Sequence, residues 1–243
     1  MVKKFIETLN KLNIKIFADG ADDKEIFKLN EENYIKGFTT NPSLMRKANI
    51  KNYETFAKDL LSKIKIKPIS FEVFSDDLTI MEKQAEKIAT WGENVNVKIP
   101  ITNTQNVNTC ELIQKLSSKG IICNITAIFT LEQLKGVVDI LHKDTPAILS
   151  VFSGRIADTG IDPEKIIADS VNFAKNKPNS EVLWASTREV FNIFQAEKNG
   201  CQIITVPHNM LGKFGVIGKN LNEYSIETVK DFYNDAQAAG YEL

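Results

Sequence analysis

The sequence predicts a single (β/α)8 barrel that spans residues 1–243. Short β-branched runs alternate with helical segments eight times, and no Pro-, Gly- or Ser-rich linker interrupts them. A strand and its helix together take about 25 to 30 residues, so eight units match the ~250 residues typical of this barrel. A doubly wound sheet is the alternative, but its dinucleotide-binding form needs GxGxxG after the first strand, and the sequence lacks that motif.

The eight predicted strands are short runs rich in Val, Ile and Phe, bounded by residues that favour turns. The first strand ends at Asp19-Gly20, and the fourth is stopped by Pro100, which has no backbone N–H group. In chain order the strands are residues 14–18, 35–38, 69–73, 94–99, 121–125, 147–151, 181–185 and 202–206.

Helical segments follow the strands, with apolar residues at the spacing of amphipathic helices. In chain order they are residues 21–32, 43–65, 77–91, 104–119, 131–142, 163–175, 188–198 and 226–239. An amphipathic segment also precedes the first strand, and a loop over residues 152–155 follows the sixth. The closing segment, residues 209–243, is amphipathic and either covers its own barrel or reaches a neighbouring chain.

Composition excludes several function classes. The 30 basic and 31 acidic residues nearly cancel, so neither nucleic acid nor a membrane surface is an expected partner. The N-terminal segment lacks the continuous apolar stretch of a signal peptide, and no apolar run approaches the length that spans a bilayer. We therefore expect a cytoplasmic protein.

The cysteines and histidines predict no metal site. Cys110, Cys123 and Cys201 are widely separated and lack metal-ligand spacing, which favours a reducing compartment. His142 falls near the end of a predicted helix, and His208 follows a proline in a loop. Neither histidine is assigned a role.

Lys98 is the residue around which the predicted chemistry is organised. Alternation along its strand puts Val95, Val97 and Ile99 on one face and Lys98 on the other. Placing an amine inside a fold is costly, and desolvation favours its neutral, nucleophilic form. The alternatives are a buried lysine paired with a carboxylate, or one whose amine reaches solvent.

Polar residues end seven successive strands, at the face where barrel enzymes bind their substrates. Taken alone, Asp19 or Asn41 could cap a helix, and Ser186 could form a turn. Chance placement of seven such residues in one ring is much less expected, so the sequence predicts a functional site there. The members of this polar ring are Asp19, Thr39, Asn41, Glu72, Lys98, Asn124, Thr126, Ser150, Arg155, Ser186 and Arg188.

A second layer of side chains is predicted inside the barrel beneath this ring. Residues two positions apart in a strand share a face, and such layers fill the interior of a barrel. The predicted pairs are Phe17 with Asp19, Ser70 with Glu72, Asn96 with Lys98, Ile122 with Asn124, and Trp184 with Ser186.

The residue types in the ring indicate a reaction. A lysine flanked by Glu72 and Asp19 suits Schiff-base formation with a carbonyl substrate, followed by acid and base proton transfers. Arg155 and Arg188 lie beside Ser186 on the sixth and seventh loops, an arrangement suited to binding an anion such as a phosphoryl group. A surface salt bridge is the alternative for each arginine.

These stretches resemble the transaldolases, Schiff-base enzymes built on a (β/α)8 barrel. The resemblance spans nearly the whole chain in family order, and the run Thr39-Thr40-Asn41-Pro42-Ser43 is its most specific part. The chain departs from the family pattern at two places beside the predicted contacts. The stretch 150–153 lacks the usual proline, and Thr187 replaces a common phenylalanine. The matching stretches are Ala18-Asp19-Gly20, Gly37-Phe38-Thr39-Thr40-Asn41-Pro42-Ser43-Leu44, Phe71-Glu72-Val73, Val97-Lys98-Ile99-Pro100, Cys123-Asn124-Ile125-Thr126, Ser150-Val151-Phe152-Ser153-Gly154-Arg155-Ile156 and Ala185-Ser186-Thr187-Arg188.

The resemblance implies a role for each member of the ring. Lys98 would form a Schiff base with C2 of a ketose phosphate, while Asp19 would take the proton of the C4 hydroxyl group. Glu72 would transfer protons through a water held with Thr126. The substrate-binding positions would be Thr39, Asn41, Asn124, Ser150 and Phe152, with Arg155, Ser186 and Arg188 on the phosphate. Neither a metal nor an organic cofactor is implied.

The resemblance also implies a substrate class and an assembly. Three carbons would move from fructose 6-phosphate to erythrose 4-phosphate, a pentose phosphate pathway reaction that gives sedoheptulose 7-phosphate and glyceraldehyde 3-phosphate. Fructose 6-phosphate aldolases are similar too, but carry tyrosine at Phe152 and glutamine at Glu72, so these residues favour the transferase. A non-enzymatic sugar-phosphate-binding barrel is a further alternative. Relatives of this length often form pentamers or decamers, so we expect a homo-oligomer.

Overall fold

A computed structural model describes residues 2–242 and confirms the predicted barrel. The strands are β1 (Lys15–Asp19), β2 (Ile35–Thr39), β3 (Ile69–Glu72), β4 (Val95–Pro100), β5 (Cys123–Ile128), β6 (Ala147–Val151), β7 (Ser180–Trp184) and β8 (Ile203–Pro207). The helices are α1 (Val2–Leu9), α2 (Asp23–Asn30), α3 (Pro42–Lys47), α4 (Tyr53–Lys63), α5 (Leu78–Ala89), α6 (Cys110–Ser118), α7 (Leu131–Ile140), α8 (Ser153–Asp158), α9 (Glu164–Ala174), α10 (Asn192–Lys198), α11 (His208–Leu211) and α12 (Leu221–Ala239). All strands are parallel and pair in sequence order, and β1 pairs with β8 to close the barrel.

Two apolar clusters occupy the two sides of the closed sheet. The larger one lies between the strands and the helices and includes Val95, Val97 and Ile99 of β4, as the alternation predicts. A smaller cluster fills the barrel interior, and its buried members are Phe17, Ile148, Leu183, Ala185 and Ile203. The polar ring therefore lies above a packed apolar layer inside the barrel, not above an open pore.

The placement of Trp184 in the inner layer was wrong. Trp184 packs in the outer cluster, and its neighbours Leu183 and Ala185 belong to the inner one. The prediction extended the strand alternation through Ser186, whose left-handed backbone (φ 63°) lies outside the regular strand. Trp184 therefore takes the face opposite to the one predicted.

The helix predicted over residues 43–65 is two helices. After α3 ends at Lys47, Asn49 adopts a left-handed conformation (φ 56°), which a continuous right-handed helix does not accommodate. The side chain of Asn52 then accepts a hydrogen bond from the Thr55 N–H group and begins α4. Asparagine suits both positions, because it tolerates positive φ and caps helix N-termini.

The helix predicted from residue 104 begins only at Cys110. The side-chain oxygen of Asn103 accepts hydrogen bonds from the N–H groups of Gln105 and Val107. Such local bonds hold the backbone in turns and compete with helix formation. The chain therefore forms a loop between β4 and α6 where a helix was predicted.

The predicted loop over residues 152–155 is instead the start of α8. The N–H group of Ile156 donates to the Phe152 carbonyl, which is the first bond of a helical turn. A helix this short does not complete a recognisable apolar period, so sequence patterning does not reveal it. α8 places Arg155 on its exposed side.

The closing helix α12 does not cover its own barrel. None of its side chains is buried, and Leu221, Val229 and Phe232 are well exposed. The segment 209–243 therefore divides: Met210, Leu211, Phe214 and Ile217 are buried in the chain's own core, which is one predicted arrangement, and for α12 contact with a neighbouring chain is the one left open. Within residues 2–242, α12 included, no helix combines the length and apolar character needed to cross a membrane.

Candidate active site

The strand register brings the polar ring to one face of the barrel. Asp19 at the end of β1 lies opposite Thr39 of β2. Glu72 at the end of β3 lies opposite Lys98 of β4. Lys98 in turn lies opposite Asn124 of β5. Because all the strands are parallel, these side chains converge at the carboxyl ends of the strands, above the inner apolar cluster.

Lys98 is almost fully buried and has two oxygen partners. Its Nζ lies 3.2 Å from Oε2 of Glu72 and donates to the carbonyl oxygen of Thr40, also at 3.2 Å. The side chains of Lys98 and Glu72 are 8% and 17% exposed, so the pair is largely withdrawn from water. The structure therefore shows the buried lysine–carboxylate pair that the sequence left as the alternative to a nucleophile. The same carboxylate is a group to which a lysine nucleophile could pass its proton.

Asp19 is held by a short chain of hydroxyl groups. Thr39 donates to Oδ1 of Asp19 at 2.7 Å, and its hydroxyl lies 2.5 Å from that of Thr205. Burial raises the pKa of the Asp19 carboxyl group above its ordinary value, although Lys98, the Thr39 hydrogen bond and His208 act in the opposite direction. A carboxyl group with a raised pKa is suited to general acid and base chemistry.

Asn124 and Ser150 belong to a hydrogen-bonded chain inside the barrel. Nδ2 of Asn124 donates to Ser70 Oγ at 3.0 Å, and Ser150 Oγ donates to Oδ1 of Asn124 at 2.6 Å. All three side chains are buried, which fixes the orientation of the amide group. An amide nitrogen has two hydrogens, and this one is shown donating only to Ser70 within residues 2–242.

Thr126 presents a buried hydroxyl group with no hydrogen-bond partner within residues 2–242. It precedes Ala127, which is left-handed (φ 59°), at a bulge where β5 has one more residue than β6 between Ile125 and Ile128. By alternation, Thr126 shares the inner face with Asn124. An unpartnered buried hydroxyl is costly, so this group is available to a water or a substrate oxygen in the site.

Asn41 acts as a helix cap, which was the ordinary alternative for this residue. Its side-chain oxygen accepts a hydrogen bond from the Leu44 N–H group at 3.0 Å and begins α3. The cap orients the amide at the end of β2, where its nitrogen can still donate to a ligand.

Tyr53 supports the site and was not predicted from the sequence. Its hydroxyl group donates to the backbone carbonyl of Glu72 at 2.8 Å. Burial raises the pKa of Tyr53 above its ordinary value, so the phenol keeps its proton and remains a donor. Because Tyr53 lies on α4, no sequence pattern connects it to the end of β3.

Phe152 and Arg155 form an aromatic and cationic rim. The guanidinium carbon of Arg155 lies 5.4 Å from the centroid of the Phe152 ring, which packs 5.7 Å from the Phe129 ring. Arg155 is exposed and forms no ion pair with any residue between 2 and 242. Its planar fork of donors has no carboxylate at ion-pair distance, although its charge helps to lower the pKa of Asp158.

Arg188, in contrast, is already paired. Its Nε lies 3.0 Å from Oδ1 of Asp158, and its Nη2 binds the other carboxylate oxygen. The guanidinium group lowers the pKa of Asp158, and the carboxylate raises that of Arg188. The salt-bridge alternative is thus realised for Arg188, and an incoming phosphate would share this guanidinium with Asp158. The bridge joins α8 to the loop that carries Ser186.

Gly154 lies where α8 meets the loop that carries Ser186, so its substitution tests this contact. A Cβ atom at Gly154 would lie 1.6 Å from the backbone oxygen of Ser186 and 3.1 Å from Cγ of Arg188. Gly154→Ala is expected to displace the Ser186 loop, to cost about 1–3 kcal/mol in urea unfolding, and to raise the KM for phosphorylated substrates.

Gly136→Ala is the matched control for this substitution. Gly136 lies within α7, and a Cβ there would meet nothing within 4 Å. Its replacement is expected to stabilise α7 by up to about 1 kcal/mol and to leave KM unchanged. Similar effects of the two substitutions would contradict the proposed junction.

Thr205 and His208 also lie at the end of β1, against Thr39 and Gly20 respectively, although the predicted ring has no member from the eighth strand. The β1–β8 pairing places Thr205 opposite Phe17 and Pro207 opposite Asp19. The expected closure of the barrel could have identified Thr205 and His208 from the sequence. Once the eighth strand is seen as the neighbour of the first, its final residues must lie beside Asp19.

Comparison with known proteins identifies a matching family model and similar proteins. A family model described as Transaldolase/Fructose-6-phosphate aldolase matches residues 16–243. A probable transaldolase of Nitrosopumilus maritimus is 34% identical over 202 residues, which cover 82% of this chain and 86% of that protein. A probable transaldolase of a Thermoanaerobacter species is 33% identical over 224 residues, covering 92% of this chain and 98% of that protein.

The fold is also similar to that of a solved aldolase. The tetrameric deoxyribose phosphate aldolase from Aeropyrum pernix superposes with a TM-score of 0.56 over 84% of this chain and 90% of that chain. The two sequences are 12% identical, so this similarity concerns the fold alone.

Proposed function

The chain belongs to the transaldolase/fructose-6-phosphate aldolase family, and from that premise we propose that it is a transaldolase. Its relatives imply an enzyme of the aldolase or transferase type. The finer proposal is transfer of a dihydroxyacetone unit from fructose 6-phosphate or sedoheptulose 7-phosphate to an aldose phosphate, in the pentose phosphate pathway. The observation that carries it is the buried amine of Lys98, 3.2 Å from the Glu72 carboxylate.

The first step is Schiff-base formation at Lys98. The neutral amine adds to C2 of the ketose, and the resulting carbinolamine loses water to give an iminium ion. Glu72 exchanges the protons of this step through a water bound between its carboxylate and the Thr126 hydroxyl. The unpartnered hydroxyl of Thr126 and the short distance between Glu72 and Lys98 support this assignment.

Asp19 then breaks the C3–C4 bond. Its carboxylate takes the proton of the C4 hydroxyl group, the new carbonyl leaves as an aldose phosphate, and the bond electrons pass into the iminium ion to form an enamine. The raised pKa of Asp19 supports its role as the base, and the Thr39 hydrogen bond holds it in place. Addition of the enamine to a second aldehyde runs the same steps in reverse.

The remaining ring members bind substrate. Asn41, Asn124 and Ser150 are proposed to hold the hydroxyl groups of the dihydroxyacetone unit, and Arg155 to bind the phosphate. Arg188 and Ser186 complete the anion site, with Asp158 orienting the Arg188 guanidinium.

Acceptor dependence separates a transaldolase from an aldolase. We expect rapid turnover of fructose 6-phosphate with erythrose 4-phosphate present, and little free dihydroxyacetone without it, because the apolar ring of Phe152 keeps water from the enamine. Glu72→Gln combined with Phe152→Tyr is expected to raise donor-only cleavage relative to transfer by about tenfold or more. Coupled assays of glyceraldehyde 3-phosphate and of dihydroxyacetone measure the two rates.

Phe173→Tyr is the control for the added hydroxyl group, since Phe173 lies on the outer helix α9. It is expected to leave the ratio of cleavage to transfer unchanged. Rapid acceptor-independent release of dihydroxyacetone by the native chain would favour the aldolase alternative instead.

We also propose a cytoplasmic homo-oligomer. The exposed apolar residues of α12, among them Val229 and Phe232, support a contact with a second copy of the chain. The thiols of Cys110, Cys123 and Cys201 are all free, which suits a reducing compartment. A pentamer or decamer is the assembly that the family resemblance implies.

A further inference from the structure

A proline removes the hydrogen-bond donor that β2 would offer to the backbone carbonyl group of Glu72. The Thr40 N–H group donates to the Ser70 carbonyl at 3.1 Å and continues the ladder between β2 and β3. A parallel ladder advances by two residues on each strand, so residue 42 would be the next donor, and Glu72 its acceptor. Residue 42 is Pro42, the first residue of α3, and proline has no N–H group.

The hydroxyl group of Tyr53 takes the place of the missing N–H group. Tyr53 is the first residue of α4, and its hydroxyl donates to the Glu72 carbonyl at 2.8 Å. The Tyr53 ring packs among three other aromatic rings, whose centroids lie 5.6 Å (Phe74), 5.7 Å (Trp91) and 6.3 Å (Phe71) from its own. This packing fixes the ring, so the hydroxyl group is held at the carboxyl end of β3.

The peptide group that follows Glu72 is therefore held on both sides. Tyr53 binds its carbonyl oxygen, and its N–H group, which belongs to Val73, donates to the Lys98 carbonyl at 3.0 Å. The Glu72 side chain branches from the backbone next to this peptide group, and its Oε2 lies 3.2 Å from Nζ of Lys98. These two backbone hydrogen bonds thus determine where the carboxylate lies relative to the amine.

We propose that Tyr53 is a positioning residue that holds the Glu72 carboxylate beside Lys98 for proton transfer. This inference rests on the proposed function, in which Glu72 exchanges the protons of Schiff-base formation. Tyr53 acts through the backbone, since its hydroxyl group is bonded to the Glu72 carbonyl oxygen and not to the carboxylate. An unpaired carbonyl group in a partly buried place is costly, so without Tyr53 the peptide group turns toward another donor and the carboxylate moves away from Lys98.

Tyr53→Phe removes the hydroxyl group and keeps the aromatic packing. We expect kcat for three-carbon transfer to fall about 10- to 100-fold, because a small displacement of a proton-transfer group slows the chemical step strongly. The KM for fructose 6-phosphate should change by less than about twofold, since Glu72 is not assigned to substrate binding. In single-turnover experiments, the borohydride-trapped adduct on Lys98 should also form more slowly than in the native chain.

Tyr34→Phe is the matched control for the lost hydroxyl group. Tyr34 also packs against two aromatic rings, those of Phe5 and Phe214. It directly precedes β2, so it lies at the end of the barrel opposite the polar ring. This variant should keep the native kcat and the native rate of adduct formation.

A double-mutant cycle separates positioning from packing. If Tyr53 acts through Glu72, Tyr53→Phe should cost little further activity once Glu72→Gln has removed the proton-transfer group. Losses that multiply in the double variant would show that the two residues act independently, and would overturn the inference. Native kcat in Tyr53→Phe alone would overturn it as well.

A measurement without substrate keeps this inference separate from the proposed function. The exchange rate of the Val73 amide hydrogen, followed by NMR in the free protein, reports whether the peptide group after Glu72 stays in place. Tyr53→Phe should speed this exchange by about tenfold, while the Ile101 amide, which donates to the Thr126 carbonyl, should exchange at its native rate. Unchanged protection of Val73 overturns the inference even if transfer activity is present, and a native chain without transfer activity overturns the proposed function alone.

Discussion

Replacing Lys98 with alanine is expected to lower the rate of three-carbon transfer by about 10⁴- to 10⁶-fold. The proposed reaction runs through a covalent bond between Lys98 Nζ and the substrate, and alanine removes that nucleophile. Lys98→Arg should be as inactive, because its guanidinium keeps the charge but does not release a proton to become nucleophilic. Steady-state assays with fructose 6-phosphate and erythrose 4-phosphate measure the loss, and borohydride trapping with mass spectrometry locates the adduct.

Lys67 provides the matched control. It also donates to backbone carbonyl groups, those of Asn30 and Glu32, but it lies just before β3, at the opposite end of the barrel. Lys67→Met should keep native transfer and a native adduct on Lys98. Retained turnover in Lys98→Ala would contradict the Schiff-base mechanism. A native chain that binds sugar phosphates without turnover would instead favour the non-enzymatic barrel.

The barrel could be predicted from the sequence because its signals are local and repeated. Each strand is an apolar run bounded by turn residues, and eight repeats constrain the architecture even where individual ends are uncertain. The errors arose where a side chain overrides the local pattern. Asn49 and Asn103 bend the backbone through positive φ or through their own hydrogen bonds, and apolar periodicity does not report either effect.

The candidate site could be predicted in part for a related reason. Strand ends of a parallel barrel share one face, so Asp19, Glu72 and Lys98 converge once the fold is known. Partners from the helices and from the closing strand could not be found in this way. The hydrogen bond from Tyr53 to the Glu72 carbonyl and the pairing of Arg188 with Asp158 depend on how helices dock on the sheet. Tertiary packing decides such contacts, and no spacing in the sequence encodes them.

Asp19→Asn is expected to lower transfer by about 10²- to 10⁴-fold while leaving the borohydride adduct on Lys98. The amide cannot take the C4 hydroxyl proton, yet the earlier condensation at C2 uses Glu72. The adduct, read by mass spectrometry, therefore separates the two steps. Loss of adduct and turnover together would contradict the assignment of Asp19 to bond cleavage.

The same substitution should make the protein more stable at neutral pH. Because burial raises the pKa of Asp19 in the folded state, the folded protein favours the protonated form, and that preference becomes a cost as pH rises through the folded pKa. Asp19→Asn removes this cost, so urea unfolding at pH 7 should show a gain in the free energy of unfolding that shrinks as pH falls toward 4.

Asp158→Asn is expected to change the free energy of unfolding in the opposite direction. Arg188 lowers the pKa of Asp158 in the folded state, so this carboxylate contributes stability at neutral pH that is lost as pH falls through the folded pKa. Its replacement should therefore lower the free energy of unfolding at pH 7 and have less effect in acid. We expect the free energy of unfolding at pH 7 to rise in Asp19→Asn and to fall in Asp158→Asn. This difference would show that the ionised Asp19 destabilises the folded protein, as expected of a group that serves proton transfer and not structure.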